Sequence, residues 1–280
     1  MKIIHTSAEL KHWFKEHKIR PMNDLGFVPT MGALHVGHAS LIARATKECE
    51  KVIVSILVNP TQFNEKGDLD SYPRNLEEDA IIAKEAGCDV IFAPSPEDLY
   101  GGEPSAELVD WGDVTNEFEG KSRPGHFDGV IAVVDKFFQV ISPKRAYFGA
   151  KDLQQVAVVY KMAQIRHPSV EVVECDLVRD SEGLALSSRN SRLSKKGLKM
   201  ALELSLALRK VKDTVATGMP VMQSVNESRE ALKALSELEI EYFDGVNNLS
   251  FSSSDKSENW THIIVAAWVE GVRLIDNIRL

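Results

Sequence analysis

Apolar positions along the first two thirds of the chain switch between two periods. Short β-branched or apolar runs at Lys2 to His5, Gly26 to Pro29, Val52 to Val58, Asp89 to Ala93 and Ala146 to Phe148 have the length and composition of strands. The stretches between them repeat at helical spacing: Ala8 to Lys18, His38 to Glu50, a segment ending at Gly87, Gly129 to Ile141 and Asp152 to Arg166. Thr6-Ser7-Ala8-Glu9 is a capping-box signal before the first helix, and Asn75 to Glu78 repeats it. Strands that alternate with helices predict βαβ units and an α/β fold around a parallel sheet. Val130, Val133, Val134, Phe137, Phe138 and Ile141 share one helical stripe, which places them in the core.

After about Val178 the pattern changes. Two long helices are predicted over Ser194 to Thr217 and Val221 to Leu238, then strands over Ile240 to Val246, His262 to Val269 and Val272 to Ile278. Glu270-Gly271 between the last two is a two-residue hairpin signal, so those strands should pair antiparallel. The reading is a larger domain over 1–177 and a smaller C-terminal α+β domain over 178–280. Ser250 to Ser257 reads as an exposed loop. Asn59 to Arg74 and Pro94 to Asp128 are long, turn-rich connections, and structureless loops of that length are usually lids or binding loops.

Composition narrows the partners. The 280 residues, 44% hydrophobic and 26% charged, suit a folded globular chain and exclude a disordered one. With 33 Lys and Arg against 41 Asp and Glu, the net charge of −8 has the wrong sign for a nucleic-acid or anionic membrane partner. Small-molecule chemistry becomes the default. Val52 to Val58 and Ile263 to Val269 fall far short of the ~20 residues that span a bilayer. Met1-Lys2-Ile3-Ile4-His5 turns polar at once, unlike a secretory signal, and the expectation is a cytoplasmic protein. Cys49, Cys88 and Cys175 are odd in number and far apart, so they read as reduced core thiols. Trp111, Trp260 and Trp268 receive no role.

The chemistry-bearing segment is Pro29-Thr30-Met31-Gly32-Ala33-Leu34-His35-Val36-Gly37-His38, between the second strand and the next helix. A strand-to-helix turn in a parallel sheet brings backbone amides and a helix N-terminus to the carboxyl edge, where anions bind. Gly32 and Gly37 have Walker A spacing, but His38 and Ala39 stand where Lys and Ser or Thr are required, and there is no GxGxxG. What remains is a His-x-Gly-His able to aim two imidazoles at a phosphate, with a glycine that permits close approach. Taken alone, such a pair is better explained by one histidine capping a helix and the other lying on the surface. A zinc reading of His35 and His38 would need a third ligand that no neighbouring motif supplies.

Further blocks follow in order: Asn59-Pro60-Thr61-Gln62-Phe63, Tyr72-Pro73-Arg74, Arg123-Pro124-Gly125-His126-Phe127-Asp128-Gly129-Val130, Gly149-Ala150-Lys151-Asp152-Leu153-Gln154-Gln155 and Leu184-Ala185-Leu186-Ser187-Ser188-Arg189-Asn190. The first motif resembles the nucleotidyltransferase superfamily, and together they resemble the pantoate–β-alanine ligase family from about Pro29 to Asn190. Two positions depart from the family pattern: Ala150 replaces a usual Glu, and Leu186 a usual Met, a volume-conserving change. The resemblance implies a Rossmann-like nucleotidyltransferase domain, the substrates ATP, pantoate and β-alanine, Mg²⁺, a pantoyl adenylate intermediate and a homodimer. It implies that His35, His38, Lys151, Ser187 and Arg189 are catalytic, with Ser188 among the phosphate donors and His38 a proton donor. It implies ATP contacts from Met31, Gly32, Ala33, Leu34, His35, Val36, Gly37 and His38, from Gly149, Ala150, Lys151 and Asp152, and from Val178, Leu186, Ser187, Ser188 and Arg189. Gln62 would contact pantoate and β-alanine, and Gln155 pantoate. Arg123 and His126 are candidates for substrate contact or closure. Asp79 is a candidate Mg²⁺ ligand or a solvated helix-start acid, and no metal ligand is assigned. The alternatives are a nucleotidyltransferase acting on a phosphorylated acceptor and a non-catalytic nucleotide-binding regulator.

Overall fold

The structure, a computed structural model, describes residues 1–19, 25–63, 67, 69 and 72–280. The strands β1 (Lys2–Ile4), β2 (Leu25–Thr30), β3 (Lys51–Ile56), β4 (Val90–Phe92), β5 (Arg145–Gly149) and β6 (Glu171–Cys175) form one all-parallel sheet in the order β1-β4-β3-β2-β5-β6. Parallel neighbours need crossovers. These are α1 (Ser7–Glu16), α2 (Val36–Glu48), α3 (Leu76–Glu85), α4 (His126–Ile141) and α5 (Leu153–Arg166). The predicted capping box starts α1, with Thr6 accepting from the Glu9 amide and Glu9 returning the bond, and Asn75 accepts from the Glu78 amide at the start of α3.

Helices cover both faces, which is why the central strands are apolar almost throughout. Phe27, Ile53, Val90 and Phe92 face one core with Leu10 and Trp13 of α1 and the α4 stripe. Val28, Val54 and Ile91 face the other, with Ile42 of α2 and Ala83 of α3. Phe27 and Phe137 rings pack tilted at 5.3 Å. All six residues of the predicted α4 stripe are buried.

The C-terminal part is an antiparallel sheet of β7 (Leu238–Val246), β8 (His262–Val269) and β9 (Val272–Arg279), turned at Glu270-Gly271 as expected. Across it lie α6 (Lys195–Ala216) and α7 (Val221–Lys233), which bury Leu204, Leu208, Val211, Val225 and Leu232 against Phe243, Ile263, Val265 and Ala267. Each of the larger side chains contributes roughly 1.5–3 kcal/mol by leaving water.

Several expectations are corrected. Residues 171–175 form an edge strand, β6, where the pattern showed none, because exposed Glu171 and Glu174 interrupt the apolar run. Helix α7 stops at Lys233, short of Leu238; Leu235 and Leu238 keep the apolar pattern because both pack on the second core outside the helix. Phe251, within the serine-rich loop, is 1% exposed and packs edge-on against Phe118 at 6.4 Å. The connection Pro94 to Asp128 is no structureless loop: it holds helical turns at Pro96–Tyr100, Asp113–Asn116 and Glu119–Ser122. Of Asn59 to Arg74, residues 64–66, 68, 70 and 71 lie outside the described residues. Cys88 and Cys175 are buried, but Cys49 is only half-buried.

Candidate active site

From β2 the strand order runs through β3 and β4 in one direction and through β5 and β6 in the other. The sheet therefore reverses between β2 and β5, and the crevice beyond their carboxyl ends is where open α/β sheets bind ligands. The chain follows β2 with Met31 to His38 and β5 with Ala150 to Asp152, so the two motifs face each other across that crevice. A cleft of about 220 Å³ opens there, lined by Met31, His35, Gly37, His38, Gly149, Lys151, Asp152 and Gln155. Its floor is apolar, made by Val130, Val133, Val134 and Phe137 of α4.

Backbone bonds shape the loop after β2. Asp79 is 2% exposed, and its carboxylate accepts from the amides of Ala33 at 3.0 Å and Leu34 at 2.6 Å. A solvated role does not fit it; it is a clip from α3 onto the loop. A Cβ on Gly32, which has φ of +86°, would meet that carboxylate at 2.9 Å. His35 is the N-cap of α2: its Nδ1 accepts from the Gly37 amide at 3.1 Å, while His38 Nδ1 accepts from the His35 amide at 3.3 Å. A Cβ on Gly37 would lie 2.8 Å from the His35 ring, so this glycine is required by the histidine itself. The helix-cap and anion-donor readings are thus compatible.

Those amide bonds also set protonation. With each Nδ1 an acceptor, the neutral rings carry their proton on Nε2. Burial, followed by the charge of Lys151, lowers the His35 pKa; burial, followed by His35, lowers His38 to about 3. Both rings are neutral Nε2–H donors near neutral pH, so any proton that His38 offers is that of a neutral ring.

The other walls come from more distant chain. The Leu186 amide donates to the Val178 carbonyl at 3.0 Å, and the Asp180 carboxylate ties the intervening turn. This brings Val178 beside Leu186, Ser187, Ser188 and Arg189, all on the cleft. Ser187 caps the 188–192 turn through the Arg189 amide. Gln62 is 8% exposed; its Oε1 accepts from Asn59 at 3.3 Å and its Nε2 reaches the weak acceptor Met31 Sδ at 2.9 Å. His126 Nδ1 bonds the Gln62 carbonyl at 2.9 Å and its Nε2 meets Arg123 at 3.1 Å. Burial, then Arg123, lowers His126 to about 4.

The structure thus gathers Met31, His35, Gly37, His38, Gln62, Gly149, Lys151, Asp152, Gln155, Val178, Leu186, Ser187, Ser188 and Arg189 around one cleft. Gly32, Ala33, Leu34, Val36 and Ala150 are not among its lining residues: Leu34 and Ala150 are buried, and Val36 is 68% exposed. Sequence reasoning missed Asn59, 1% exposed, which donates to Gln62 and to the Gly129 carbonyl. Its place as the cap of the Pro60–Gln62 turn, just before a proline, was the available signal.

A parallel sheet with anion donors grouped at its reversal point defines a nucleotide-using enzyme of the nucleotidyltransferase type. The family model of pantoate-beta-alanine ligase matches residues 2–279, and the chain belongs to that family of ligases, which serves pantothenate biosynthesis. It is 43% identical to a pantothenate synthetase of Porphyromonas gingivalis, covering 100% of this chain and 99% of the relative. It is 39% identical to the pantothenate synthetase of Thermus thermophilus, whose crystal structure it matches with a TM-score of 0.91 over 100% of this chain and 99% of that one. A pantoate-beta-alanine ligase from Francisella tularensis, solved complexed with Beta-gamma ATP and Beta-alanine, is 33% identical with a TM-score of 0.81, covering 100% and 97%.

Proposed function

We propose that this cleft condenses pantoate with β-alanine, using ATP and releasing AMP and pyrophosphate through a pantoyl adenylate. The observation that carries the reading is the convergence of His35, His38, Lys151, Ser187 and Arg189 on the same cleft as Gln62 and Gln155. In the first half a pantoate carboxylate oxygen attacks the α-phosphorus and the bond to pyrophosphate breaks. Negative charge grows on phosphate oxygens, so preorganised donors supply the catalysis. Lys151 and Arg189 bring charge, and the two neutral imidazoles bring Nε2–H donors. In the second half the β-alanine amine attacks the acyl carbon and AMP leaves. Gln62 and Gln155 can each donate and accept, which suits the hydroxyls and carboxylate of pantoate.

Magnesium enters with the nucleotide. Among the described residues no three His, Cys, Asp or Glu side chains are grouped to hold a metal, and Asp79 gives its oxygens to backbone amides. Mg²⁺ characteristically rides on substrate phosphates with few protein ligands. The family resemblance further supports a cytoplasmic homodimer, and the change from a parallel sheet to a separate antiparallel one supports domains at 1–177 and 178–280.

The test is to mix ATP, Mg²⁺, pantoate and β-alanine and identify the products, then to omit β-alanine and follow labelled pyrophosphate into ATP. Exchange that needs pantoate but not β-alanine is expected. Exchange that strictly requires β-alanine would overturn the adenylate, and AMP release without pantothenate would overturn the ligation.

A further inference from the structure

The turn that carries Lys151, Ala150–Asp152, has no side-chain cap from Gly149, and Asp152 supplies none to the helix that follows. Its restraint comes from the other sheet. Asn277, in β9, is 6% exposed, and its Nδ2 donates to the carbonyl oxygens of Ala150 at 2.8 Å and Lys151 at 3.2 Å. Those carbonyls belong to the two rigid peptide planes on either side of the Lys151 Cα. Holding both planes fixes the direction in which the Lys151 side chain leaves the backbone.

Asn277 is itself clamped. Its amide N–H donates to Asp276 Oδ1 at 2.7 Å, and its carbonyl accepts from Arg179 Nη2 at 2.8 Å. Arg179 grips the Asp276 carboxylate through two bonds, 2.7 and 2.9 Å, and Ser205 of α6 donates to it at 2.7 Å. Arg179 directly follows Val178, whose carbonyl holds Leu186 at the start of the Ser187 to Arg189 segment. One buried polar cluster therefore ties β9 both to the Lys151 turn and to the segment bearing Ser187 and Arg189.

We infer that Asn277 is a positioning residue for Lys151, through which the C-terminal sheet registers the lysine against the opposite wall of the cleft. This rests on the reading that Lys151 acts on the nucleotide phosphates. Bidentate donation to backbone is independent of the side chain at position 150, where the Ala150 methyl is buried. A lysine has a long, flexible stem, so an error at its Cα is carried to the ammonium, and small misplacements of a catalytic group reduce rate far more than binding.

The experiment compares Asn277→Ala and Asn277→Asp with Lys151→Met and with Val225→Ala, a buried change in the second core. Asn277→Asp keeps shape and replaces the two donors by acceptors, so it separates donation from packing. The expected result is a fall in kcat and in pantoate-dependent pyrophosphate exchange of roughly tenfold or more in both Asn277 variants, with KM for pantoate unchanged. Val225→Ala should lower Tm while keeping kcat. Asn277→Asp with parental kcat, or a loss that simply follows Tm as in Val225→Ala, overturns the positioning role. If Asn277→Ala does not fold, Asn277→Asp decides by the same criterion. Full activity in Lys151→Met would instead overturn the underlying reading of the site, whatever Asn277 does.

Discussion

At the amino edge of the six-stranded sheet, Lys51 meets Asp89 at 2.9 Å and Arg145 meets Glu171 at 2.8 Å, each pair joining the starts of neighbouring strands. At the carboxyl edge, His35, His38, Arg123, Lys151 and Arg189 border one cleft with the carboxylates of Asp152 and Asp176. Both edges carry basic groups. At the first, each charge has a built-in counter-charge from the next strand. At the second, the pairing is local, Lys151 with Asp152 at 3.3 Å and Arg123 with Glu119 at 3.8 Å, and the backbone ties the imidazole Nδ1 atoms so that Nε2–H is left to present. Charges paired from strand to strand hold the sheet; at the cleft, imidazole Nε2–H groups beside locally paired cations are the donors offered to an anion.

The largest expected effect breaks the carboxyl edge. Lys151→Ala should lower turnover by about 10²-fold or more, as loss of a preorganised transition-state donor does, with Tm nearly unchanged because the side chain is not a core group. Steady-state kinetics beside a melting curve checks both. A turnover near the parental value would make Lys151 one more strand-end charge, like Lys51.

Gln62→Ala and Gln155→Ala sharpen the contrast between the two walls. Each should weaken pantoate use by about 1–3 kcal/mol, the range for leaving a buried polar group unpaired, while ATP binding is retained. Titration of ATP into each variant is the discriminating measurement, and a loss confined to ATP affinity would move these amides to the nucleotide wall.

The contrast was legible in the sequence only where the site is contiguous. His-x-Gly-His and Gly149 to Gln155 could be read because one turn carries the chemistry, and the strand before each turn showed its apolar run. The supports were not legible, since their partners lie far along the chain: Asp79 clips a loop 45 residues away, and Asn277 holds carbonyls 126 residues away. Local propensity says nothing about such pairs. Glu119 shows the same limit. An acidic residue in a Gly-rich stretch reads as solvated, yet it is buried, bonded to Arg273 at 2.6 and 2.8 Å and to Tyr242 at 2.6 Å. Burial alone would raise this carboxyl, but Arg273 and Tyr242 draw it down to about 2.

Acid should act on the neutral imidazoles in a defined direction. His38 stands at about 3, and His126 and His262 at about 4, against 6.5 in the unfolded chain, in each case first through burial. The unfolded chain therefore binds more protons between these values, so stability is full above about 6.5 and falls as pH drops toward 3–4. Each linked group contributes up to about 1.4 kcal/mol per pH unit in that window. Glu119 adds a loss of the same sign below 4.5. Urea unfolding at pH 7 and pH 5 measures the slope. His126→Asn, which keeps a side-chain N–H, should flatten it by about one proton; an unaltered slope would show that His126 titrates normally in the folded chain.

The smallest effect belongs to the amino edge. Lys51 and Asp89 are partly exposed, with side chains 38% and 28% accessible, so solvent and salt screen their attraction, and such pairs contribute about 0–1 kcal/mol. Asp89 has a second task, accepting from the Val52 amide at 2.9 Å, which survives loss of the lysine. Lys51→Met should therefore leave kcat and the KM values for ATP, pantoate and β-alanine at parental level and shift the urea midpoint only slightly, with the shift shrinking further in high salt. The lysine stands at the first residue of β3, at the opposite end of the strand from the cleft. A rate loss in Lys51→Met comparable to that of Lys151→Ala would mean that the two edges are coupled through the sheet, and the division between strand-holding charges and ligand-facing donors would fail.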